Sequence, residues 1–361
     1  MKAHVVGLGL VGSSIGLGLR ARGFEVSGED LDDARAARAL ELGAVDRIGP
    51  ADDAGIAFVA TPASAVVPVA RRLLEEAAAR GSYLVVTDVA GVKGPIASEL
   101  VNSRFVPGHP MAGSEQEGPD GADADLFVGA IWVLTPTEGT DESGYSVVRD
   151  AVAALGADVV VLPPDRHDDL VAVVSHVPHL TSATLMSLAA ESAVDRESLM
   201  RLAAGGFRDM TRIAAGSAAI WPDICRDNSG AIVPVRDRLI ERLSEVRRIV
   251  AETDRAGLMN LLEGARAARQ NLPARGARPV SSRELRVVVP DRPGVLAEVT
   301  SIAGLLGANI YDIEIAHSAE GPRGVLVLVV AESVARELAG ALREHGYRVA
   351  AAASEGSGAG P

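Results

Sequence analysis

The amino-acid sequence predicts three successive parts: an α/β part with a mostly parallel sheet, an all-helical part and a small α+β part. Short apolar runs alternate with helical patterns over residues 1–162, as expected of repeated β-α-β units with helices on both faces of a sheet. Strand signals are absent from 163–271, where long helical patterns rich in Ala, Leu, Arg and Glu take over. They return in 283–351, in the order strand, helix, strand, strand, helix.

The α/β part is assembled from apolar runs and helical patterns of ordinary length. The runs predicted as strands are 4–7, 24–28, 56–60, 83–87, 130–134 and 158–162. The helices predicted between the early strands are 13–22, 33–42 and 65–80. Parallel strands joined in this way end at one common edge of the sheet, which is where such sheets bind their ligands.

The composition is that of an ordinary folded protein and excludes several classes. The chain has 361 residues, 48% of them hydrophobic, which is enough for two or three packed domains. A formal charge of −13 disfavours nucleic acid or an anionic membrane surface as a partner. The single cysteine, Cys225, cannot form an intrachain disulfide and fits a reducing compartment. Glycines interrupt the apolar N-terminus and no run has the length of a membrane span, so we expect a cytoplasmic protein.

The helical part has the pattern of helices that pack on other helices. Segment 232–254 keeps apolar residues at helical spacing with charged residues between them. Packing within one chain would explain this, but the pattern favours a homodimer. Residues 272–282 carry Pro, Gly, Ser and Arg and are predicted to be a linker, and 352–361 are predicted to be a disordered tail.

A dinucleotide-binding motif opens the chain. Gly7, Gly9 and Gly12 form G-x-G-x-x-G directly after a strand and at the start of a helix, where backbone amides can hold a pyrophosphate. Asp30 follows the second strand, at the place where a carboxylate accepts from the adenosine 2′-hydroxyl and repels a 2′-phosphate. The predicted cofactor is therefore NAD, although the neighbouring Glu29 could share this role.

Three further polar residues follow the third and fourth strands of the predicted sheet. Thr61 and Asp88 are predicted to bind the cofactor, because both lie at the carboxyl ends of strands. Lys93 is a further candidate for this ligand site, although a lysine there could equally be a solvated surface charge.

Five motifs together resemble one enzyme family. The segments "GLGLVGSS", "TDVAGVK", "GHPMAGSE", "SHVPH" and "FRDMTRIAAGSAAIWPDI" occur in the order seen in prephenate dehydrogenases of the prephenate/arogenate group, and the resemblance covers about 3–270. It implies an α/β Rossmann domain over 1–162 and a helical substrate-binding and dimerisation domain over 163–271. The implied reaction is the NAD-dependent oxidative decarboxylation of prephenate to 4-hydroxyphenylpyruvate, in tyrosine biosynthesis.

The resemblance also assigns the proton acceptor. Oxidation at C4 of prephenate needs a group that takes the hydroxyl proton as hydride leaves, and histidine titrates in the required range. His109 matches that acceptor, and we expect Gly108 and Pro110 to form a turn that presents its ring. Ser114 and Glu115 match positions that line the substrate or the entrance.

Other matched positions are implied to bind substrate. Arg212 matches the arginine that grips a substrate carboxylate, which a planar guanidinium can do bidentately. His179 matches the histidine that contacts the pyruvyl side chain. The remaining implied substrate-binding residues are Ser175, Trp221 and Gly205.

A metal site is the competing interpretation of the histidines. His167, His176 and His179 could in principle share a metal ion, but no cysteine and no ordered set of carboxylates completes a coordination shell. We therefore expect no metal.

The chain departs from the family pattern at Gly91, where a serine is usual. The missing hydroxyl leaves arogenate or 4-amino-4-deoxyprephenate open as substrates, although His179 favours prephenate. A non-catalytic, amino-acid-sensing protein with a nucleotide-binding fold is the remaining alternative.

The last part resembles an ACT module, a ferredoxin-like α+β domain that senses amino acids. Residues 283–351 carry the D-R-P-G-V-L turn and the G-x-N sequence of such modules. The implied effector is an aromatic amino acid, most simply tyrosine acting by feedback. The implied effector-binding residues are Asp291, Arg292, Pro293, Gly294 and Asn309.

Overall fold

A computed structural model describes residues 1–113, 116–191, 203, 205–216, 218–270, 282–290, 292–317 and 323–351. Ser114, Glu115 and Asp291 lie outside the described residues, as do 352–361 and all but the last residue of the expected linker. The chain forms two compact units. The first comprises Met1–Arg196 with Met210–Ala251, and the second comprises Glu197–Asp209 with Glu252–Pro361.

The expected parallel sheet is present in the first unit. Its strands are β1 (Lys2–Val6), β2 (Glu25–Glu29), β3 (Arg47–Ile48), β4 (Ile56–Val59), β5 (Val85–Asp88) and β6 (Phe105–Val106). They are all parallel, in the order β3-β2-β1-β4-β5-β6. The strand order reverses between β1 and β4, which is the point where doubly wound sheets bind nucleotides.

Helices cover this sheet on both faces. They are α1 (Leu10–Ala21), α2 (Asp33–Glu41), α3 (Ala63–Ala79) and α4 (Gly94–Glu99), followed later by α5 (Glu142–Ala154). Two apolar clusters fill the space between sheet and helices. One contains Val5, Leu19, Val26, Phe58 and Trp132, and the other contains Val59, Val66, Leu73, Val86 and Phe105. This burial stabilises the edge at which the strands end.

The strands predicted at 130–134 and 158–162 do not extend the main sheet. They form a second sheet of β7 (Gly108–Pro110), β8 (Ile131–Leu134) and β9 (Asp158–Val161), in which β7 is antiparallel to β8. His109 therefore lies on a strand, and the expected turn at this position is wrong. A Cβ at Gly108 would lie 2.9 Å from Nε1 of Trp132, so this glycine permits close packing.

The next segment is helical in every described element. After α6 (Pro164–Val171), a π-helical turn over Ala172–His176 leads directly into α7 (Val177–Glu191). The later helices are α8 (Gly205–Thr211), α9 (Trp221–Asp227), α10 (Ser229–Ala251) and α11 (Arg255–Gln270), with short 3-10 turns at Arg212–Ala215 and Ala218–Ile220.

One helix contradicts the prediction that no segment is long and apolar enough to span a membrane. Among the described residues, Pro164–Glu191 is long and apolar enough to do so by length and composition alone. It carries the buried polar side chains of His167, Asp168 and His176, each hydrogen-bonded within the protein. Polar groups of this kind are typical of a helix that packs in a protein core.

The C-terminal part has the predicted α+β pattern. Its elements are β10 (Ser282–Pro290), α12 (Val295–Leu305), β11 (Ile310–His317), β12 (Arg323–Ala331), α13 (Glu332–Glu344) and β13 (Arg348–Ala351). The sheet is antiparallel, in the order β11-β12-β10-β13, and both helices contribute side chains to one apolar core.

Candidate active site

The glycine motif forms the predicted tight loop between β1 and α1. Gly7 has φ +90°, and a Cβ there would lie 2.4 Å from the carbonyl oxygen of Ala60. A Cβ at Gly12 would lie 1.8 Å from the carbonyl oxygen of Gly7, so helix and loop can approach only with glycine at both positions. Gly9 is the N-cap of α1, offers no side chain to its amides and faces open space. This loop fits a pyrophosphate.

Asp30 lies beside this loop, as expected. Its Oδ2 accepts from the backbone N–H of Leu8 at 2.7 Å, and its Oδ1 accepts from that of Asp32 at 2.9 Å. The guanidinium of Arg35 lies 3.6 Å from Oδ1. The carboxylate is thus fixed at the end of β2, at the place where a ribose hydroxyl would bind.

Glu29, the alternative ligand for the ribose, has a different partner in the structure. Glu29 forms an ion pair with Arg72 on α3, and the neighbouring His4, followed by Arg72, lowers the pKa of its carboxyl group. Thr61 remains next to the glycine loop, because its Cγ2 lies 3.3 Å from the position that a Cβ on Gly7 would take.

Asp88 was predicted to bind the cofactor, but its side chain is engaged within the protein. Its carboxylate is fully buried and forms an ion pair with Lys93. It also accepts from the backbone N–H of Gly108 at 3.1 Å and of Ala90 at 3.0 Å. These donors surround the Asp88 carboxylate. Through Gly108, it is attached to β7, the strand that carries His109.

Lys93 is also buried rather than solvated. Its Nζ donates to Asp88 and, at 2.7 Å, to the carbonyl oxygen of Gly108. Desolvation lowers the pKa of Lys93, and the attraction of Asp88 and Asp168 opposes that shift. The Lys93 side chain therefore connects Asp88, at the end of β5, to Gly108, the residue before His109 on β7.

His109 begins a line of hydrogen bonds that ends on a carboxylate. Its Nδ1 lies 2.8 Å from Nε2 of His167, whose Nδ1 lies 2.8 Å from Oδ1 of Asp168. The Asp168 carboxylate also accepts, at 2.8 Å each, from the backbone N–H groups of Lys93 and Gly94 at the start of α4. These backbone donors hold the Asp168 carboxylate in place at the start of α4.

The hydrogen-bond line assigns the protons on both rings. An ionised carboxylate can only accept, so Nδ1 of His167 donates to Asp168. With its proton on Nδ1, His167 accepts at Nε2 a hydrogen bond from the N–H at Nδ1 of His109. The lone pair of His109 is left on Nε2, which faces Gly91: a Cβ at Gly91 would lie 3.7 Å away.

The electrostatic surroundings keep His109 uncharged. Burial lowers the pKa of His109 well below its ordinary value, and the electrostatic influence of the nearby His167, Lys93 and His176 acts in the same direction. His109 is therefore a neutral proton acceptor at pH 7.

A second group of aromatic side chains lies on the helical side of the site. The rings of His179 and Trp221 are stacked with centroids 3.8 Å apart, and His176 meets Trp221 edge-on at 6.1 Å. Nδ2 of Asn228 donates to the carbonyl oxygen of Asp168 at 2.9 Å and lies 3.1 Å from Nδ1 of His176. Both groups of residues are thus linked through Asp168.

The other expected substrate-binding residues lie on three separate helical elements. Arg212 begins a 3-10 turn that packs on α7, and a Cβ at Gly216, just after that turn, would lie 3.6 Å from Cε1 of His179. Ser175 lies in the π-helical turn. Gly205 begins α8 in a segment of the second compact unit. Their contacts with substrate stay predictions.

The sequence patterns did not point to Asp168 or Asn228, and they suggested His167 only as a possible metal ligand. The pair "HD" at the start of a helix was the available signal for His167 and Asp168. Asn228 gave no signal beyond its residue type.

A dinucleotide loop with an acid at the ribose position and a neutral histidine base defines a nicotinamide-dependent dehydrogenase of the Rossmann class. Comparison with known proteins is consistent with this class. The family model for the prephenate dehydrogenase nucleotide-binding domain matches residues 15–161, and that for the prephenate dehydrogenase dimerization domain matches 163–264. The chain therefore belongs to the prephenate dehydrogenase family, and it is an NAD-dependent dehydrogenase.

Relatives and solved structures agree with this assignment. Prephenate dehydrogenase of Bacillus subtilis (strain 168) is 36% identical over 89% of this chain and 90% of its own length. Synechocystis arogenate dehydrogenase is 32% identical, with a TM-score of 0.64 over 75% of this chain and 99% of that chain. Prephenate dehydrogenase from A. aeolicus, solved with hydroxyphenyl propionate and NAD⁺, is 26% identical, with a TM-score of 0.67 over 75% of this chain and 97% of that chain.

Proposed function

We propose that the protein oxidises prephenate to 4-hydroxyphenylpyruvate and carbon dioxide with NAD, as a step of tyrosine biosynthesis. The observation that carries this proposal is the unprotonated Nε2 of His109, held by the line through His167 to Asp168. Bound NAD would take the hydride from C4. The glycine loop and Asp30 would hold its pyrophosphate and its ribose.

His109 supplies the proton chemistry in this proposal. Nε2 accepts the proton of the 4-hydroxyl as hydride leaves C4, and the resulting imidazolium is stabilised through His167 by Asp168. The ring carboxylate departs as carbon dioxide, and its electron pair completes the aromatic ring. The phenol oxygen then regains the proton. His109 returns it readily, because a phenolate is a much stronger base than a neutral imidazole.

We assign substrate binding to the helical side of the site. Arg212 would bind a substrate carboxylate, and His179, stacked on Trp221, would contact the pyruvyl side chain. Ser175 completes this proposed set. For Gly205, Ser114 and Glu115, a role in substrate binding rests on the family resemblance alone. Residues 1–162 form the nucleotide-binding domain and 163–271 the helical domain in this proposal.

Gly91 favours a second candidate substrate. Among the described residues, a Cβ at Gly91 would meet only the ring of His109 within 4 Å, which leaves room for a different group at the substrate's 4-position. Arogenate and 4-amino-4-deoxyprephenate are therefore the alternatives to test. NADH formation from each of the three substrates, with NAD and with NADP, separates them.

His109→Asn is the control for this experiment. We expect it to lower kcat by about 10²- to 10⁴-fold while NAD binding is retained, which is the range for loss of a general base. If a folded, NAD-binding wild-type protein turns over none of the three substrates, the non-catalytic sensing alternative is correct.

The second copy of the chain is the partner that we propose for the helical domain. Apolar side chains on its helices are exposed, among them Val173, Val174 and Leu188 on the helix over Pro164–Glu191 and Ile240 and Leu243 on α10. Patches of this kind mark interfaces between proteins. A homodimer in the cytoplasm explains this surface, and sedimentation measures the assembly directly.

We further propose that 283–351 is an ACT module that binds an aromatic amino acid, with tyrosine as the first choice. A cavity of about 340 Å³ lies beside the β10–α12 turn and is lined in part by Arg292, Glu298, His345 and Tyr347. Pro293 and Gly294 follow Arg292 in this turn, and Asn309 lies exposed before β11.

A further inference from the structure

Asn228 occupies a buried position between two parts of the active site. It precedes α10 and is only 5% exposed. Its Nδ2 donates to the carbonyl oxygen of Asp168, the residue that holds His167, and also lies within hydrogen-bond distance of Nδ1 of His176. One amide group thus contacts both the base side and the aromatic side of the site.

These two contacts determine the tautomer of His176. A backbone carbonyl oxygen can only accept, so the Asn228 atom that faces it is the NH₂ group. An NH₂ group can only donate, so Nδ1 of His176 is the acceptor and the ring proton is on Nε2. Burial lowers the pKa of His176 to about 4, which keeps the ring neutral at pH 7.

Asn228 occupies only one of the two ring nitrogens of His176. The residue is 2% exposed, and the atom that faces Asn228 is Nδ1, which leaves the N–H at Nε2 on the other side of the ring. An N–H group in this position is available to donate to a ligand or a water. His176 also ends a π-helical turn, a distortion that is frequent at functional sites.

We infer that Asn228 is a positioning residue that fixes His176 as its Nε2–H tautomer, and that this N–H donates to an oxygen of the substrate. The recognised chemistry is a carboxylate or keto oxygen, which accepts from an uncharged donor beside the aromatic faces of Trp221 and His179. The donor role rests on the proposed function, whereas the tautomer assignment does not.

The tautomer can be measured on the substrate-free protein. Nitrogen-15 NMR of labelled protein distinguishes a protonated ring nitrogen from an unprotonated one. We expect Nε2 of His176 to be protonated in the wild type and in Asn260→Asp, a matched control at an exposed asparagine. Asn228→Asp replaces the donor by an acceptor and should move the proton to Nδ1. A wild-type proton on Nδ1, or no change in Asn228→Asp, overturns the assignment.

The donor role is tested by substrate affinity. Asn228→Ala should raise KM for prephenate about tenfold, the cost of one hydrogen bond, with a much smaller change in kcat. In a His176→Ala background the same change should have no further effect, because Asn228 then has no ring to orient. Additive effects in the double variant overturn the donor role.

Calorimetric binding of prephenate in the His109→Asn background gives the same comparison without turnover. An affinity that is equal with and without Asn228→Ala also overturns the donor role. If the tautomer and this binding difference are found while wild-type protein lacks dehydrogenase activity, the proposed function fails and this inference stands.

Discussion

Nδ1 of His109 lies 2.8 Å from Nε2 of His167, so two imidazole rings form one line that ends on Asp168. The line does for His109 what a carboxylate does for the histidine of a serine protease: it selects the tautomer and orients the ring. Interposing a second ring places the carboxylate farther from the reacting atom. There it is held by backbone N–H groups of α4.

His167→Asn tests this line. An asparagine cannot bridge His109 and Asp168, so His109 loses its fixed tautomer but keeps its position on β7. We expect kcat to fall by about 10- to 10³-fold, less than for removal of the base itself. The control is His345→Asn at an exposed histidine beside the proposed effector cavity, which should leave kcat unchanged when no amino acid is added. Wild-type kcat in His167→Asn would show that the line has no role in catalysis.

Asp30→Ala tests the choice of cofactor. Losing the carboxylate should weaken NAD binding by about 10- to 100-fold, the cost of hydrogen bonds to a charged group. The guanidinium of Arg35, now 3.6 Å from Asp30, would be released to bind a 2′-phosphate, so NADP binding should improve. Asp30→Ala/Arg35→Ala should lose NAD without gaining NADP. Calorimetric dissociation constants decide this, and a wild type that prefers NADP would contradict the ribose assignment.

Local rules predicted the nucleotide-binding half of the site. A glycine loop after a strand and an acid after the next strand depend on adjacent elements, and the structure places Gly7, Gly12 and Asp30 as expected. The cofactor, NAD, agrees with the family to which the chain belongs. The sequence pattern indicated this half because each of its contacts connects neighbouring β-α-β units.

The contacts around His109 could not be predicted in this way, because they join residues that are far apart in the sequence. His109 and His167 are 58 residues apart, and Lys93 and Asp168 are 75 apart. The packing of α4 against α6, and of β5 against β7, brings them together. The same packing buries Lys93 and turns Asp88 inward, which residue type and strand position alone do not reveal.

Acid should destabilise the fold through His176. Its pKa is about 4 in the folded protein against an ordinary 6.5, so below pH 6.5 the unfolded chain binds a proton that the folded one does not. The free energy of unfolding should therefore fall as pH drops from 6.5 to about 4, by about 3 kcal/mol in all. His109 acts in the same direction.

Thermal unfolding at pH 7.5 and pH 5 measures this effect. His176→Asn should show a smaller loss of Tm on acidification than the wild type, whereas His345→Asn should behave like the wild type. An equal loss of Tm in His176→Asn would mean that His176 does not titrate over this range.

Feedback control is tested on the full-length protein. If 283–351 binds tyrosine, tyrosine should inhibit the wild type, and Asn309→Ala should weaken that inhibition at least tenfold with kcat retained. Arg336→Ala, at an exposed position on α13, is the control and should remain sensitive. Undiminished inhibition in Asn309→Ala that is competitive with prephenate would place tyrosine at the active site instead.

Gly91→Ser tests what the space opposite His109 is for. A Cβ at Gly91 would make ordinary van der Waals contact with the His109 ring, at 3.7 Å from Nε2 and 3.8 Å from Cε1, so serine fits there. If prephenate is the substrate, the new hydroxyl adds about 0.5–1.5 kcal/mol of hydrogen bonding near C4, unless it only replaces a water. Then kcat/KM for prephenate should stay unchanged or rise several-fold, whereas Gly91→Ala, which adds the Cβ alone, should bring no gain.

If the glycine instead accommodates another 4-substituent, Gly91→Ser should depress kcat/KM for arogenate or 4-amino-4-deoxyprephenate while raising kcat/KM for prephenate. A clear fall on prephenate, with NAD binding and Tm preserved, would show that the glycine is more than a missing hydrogen bond.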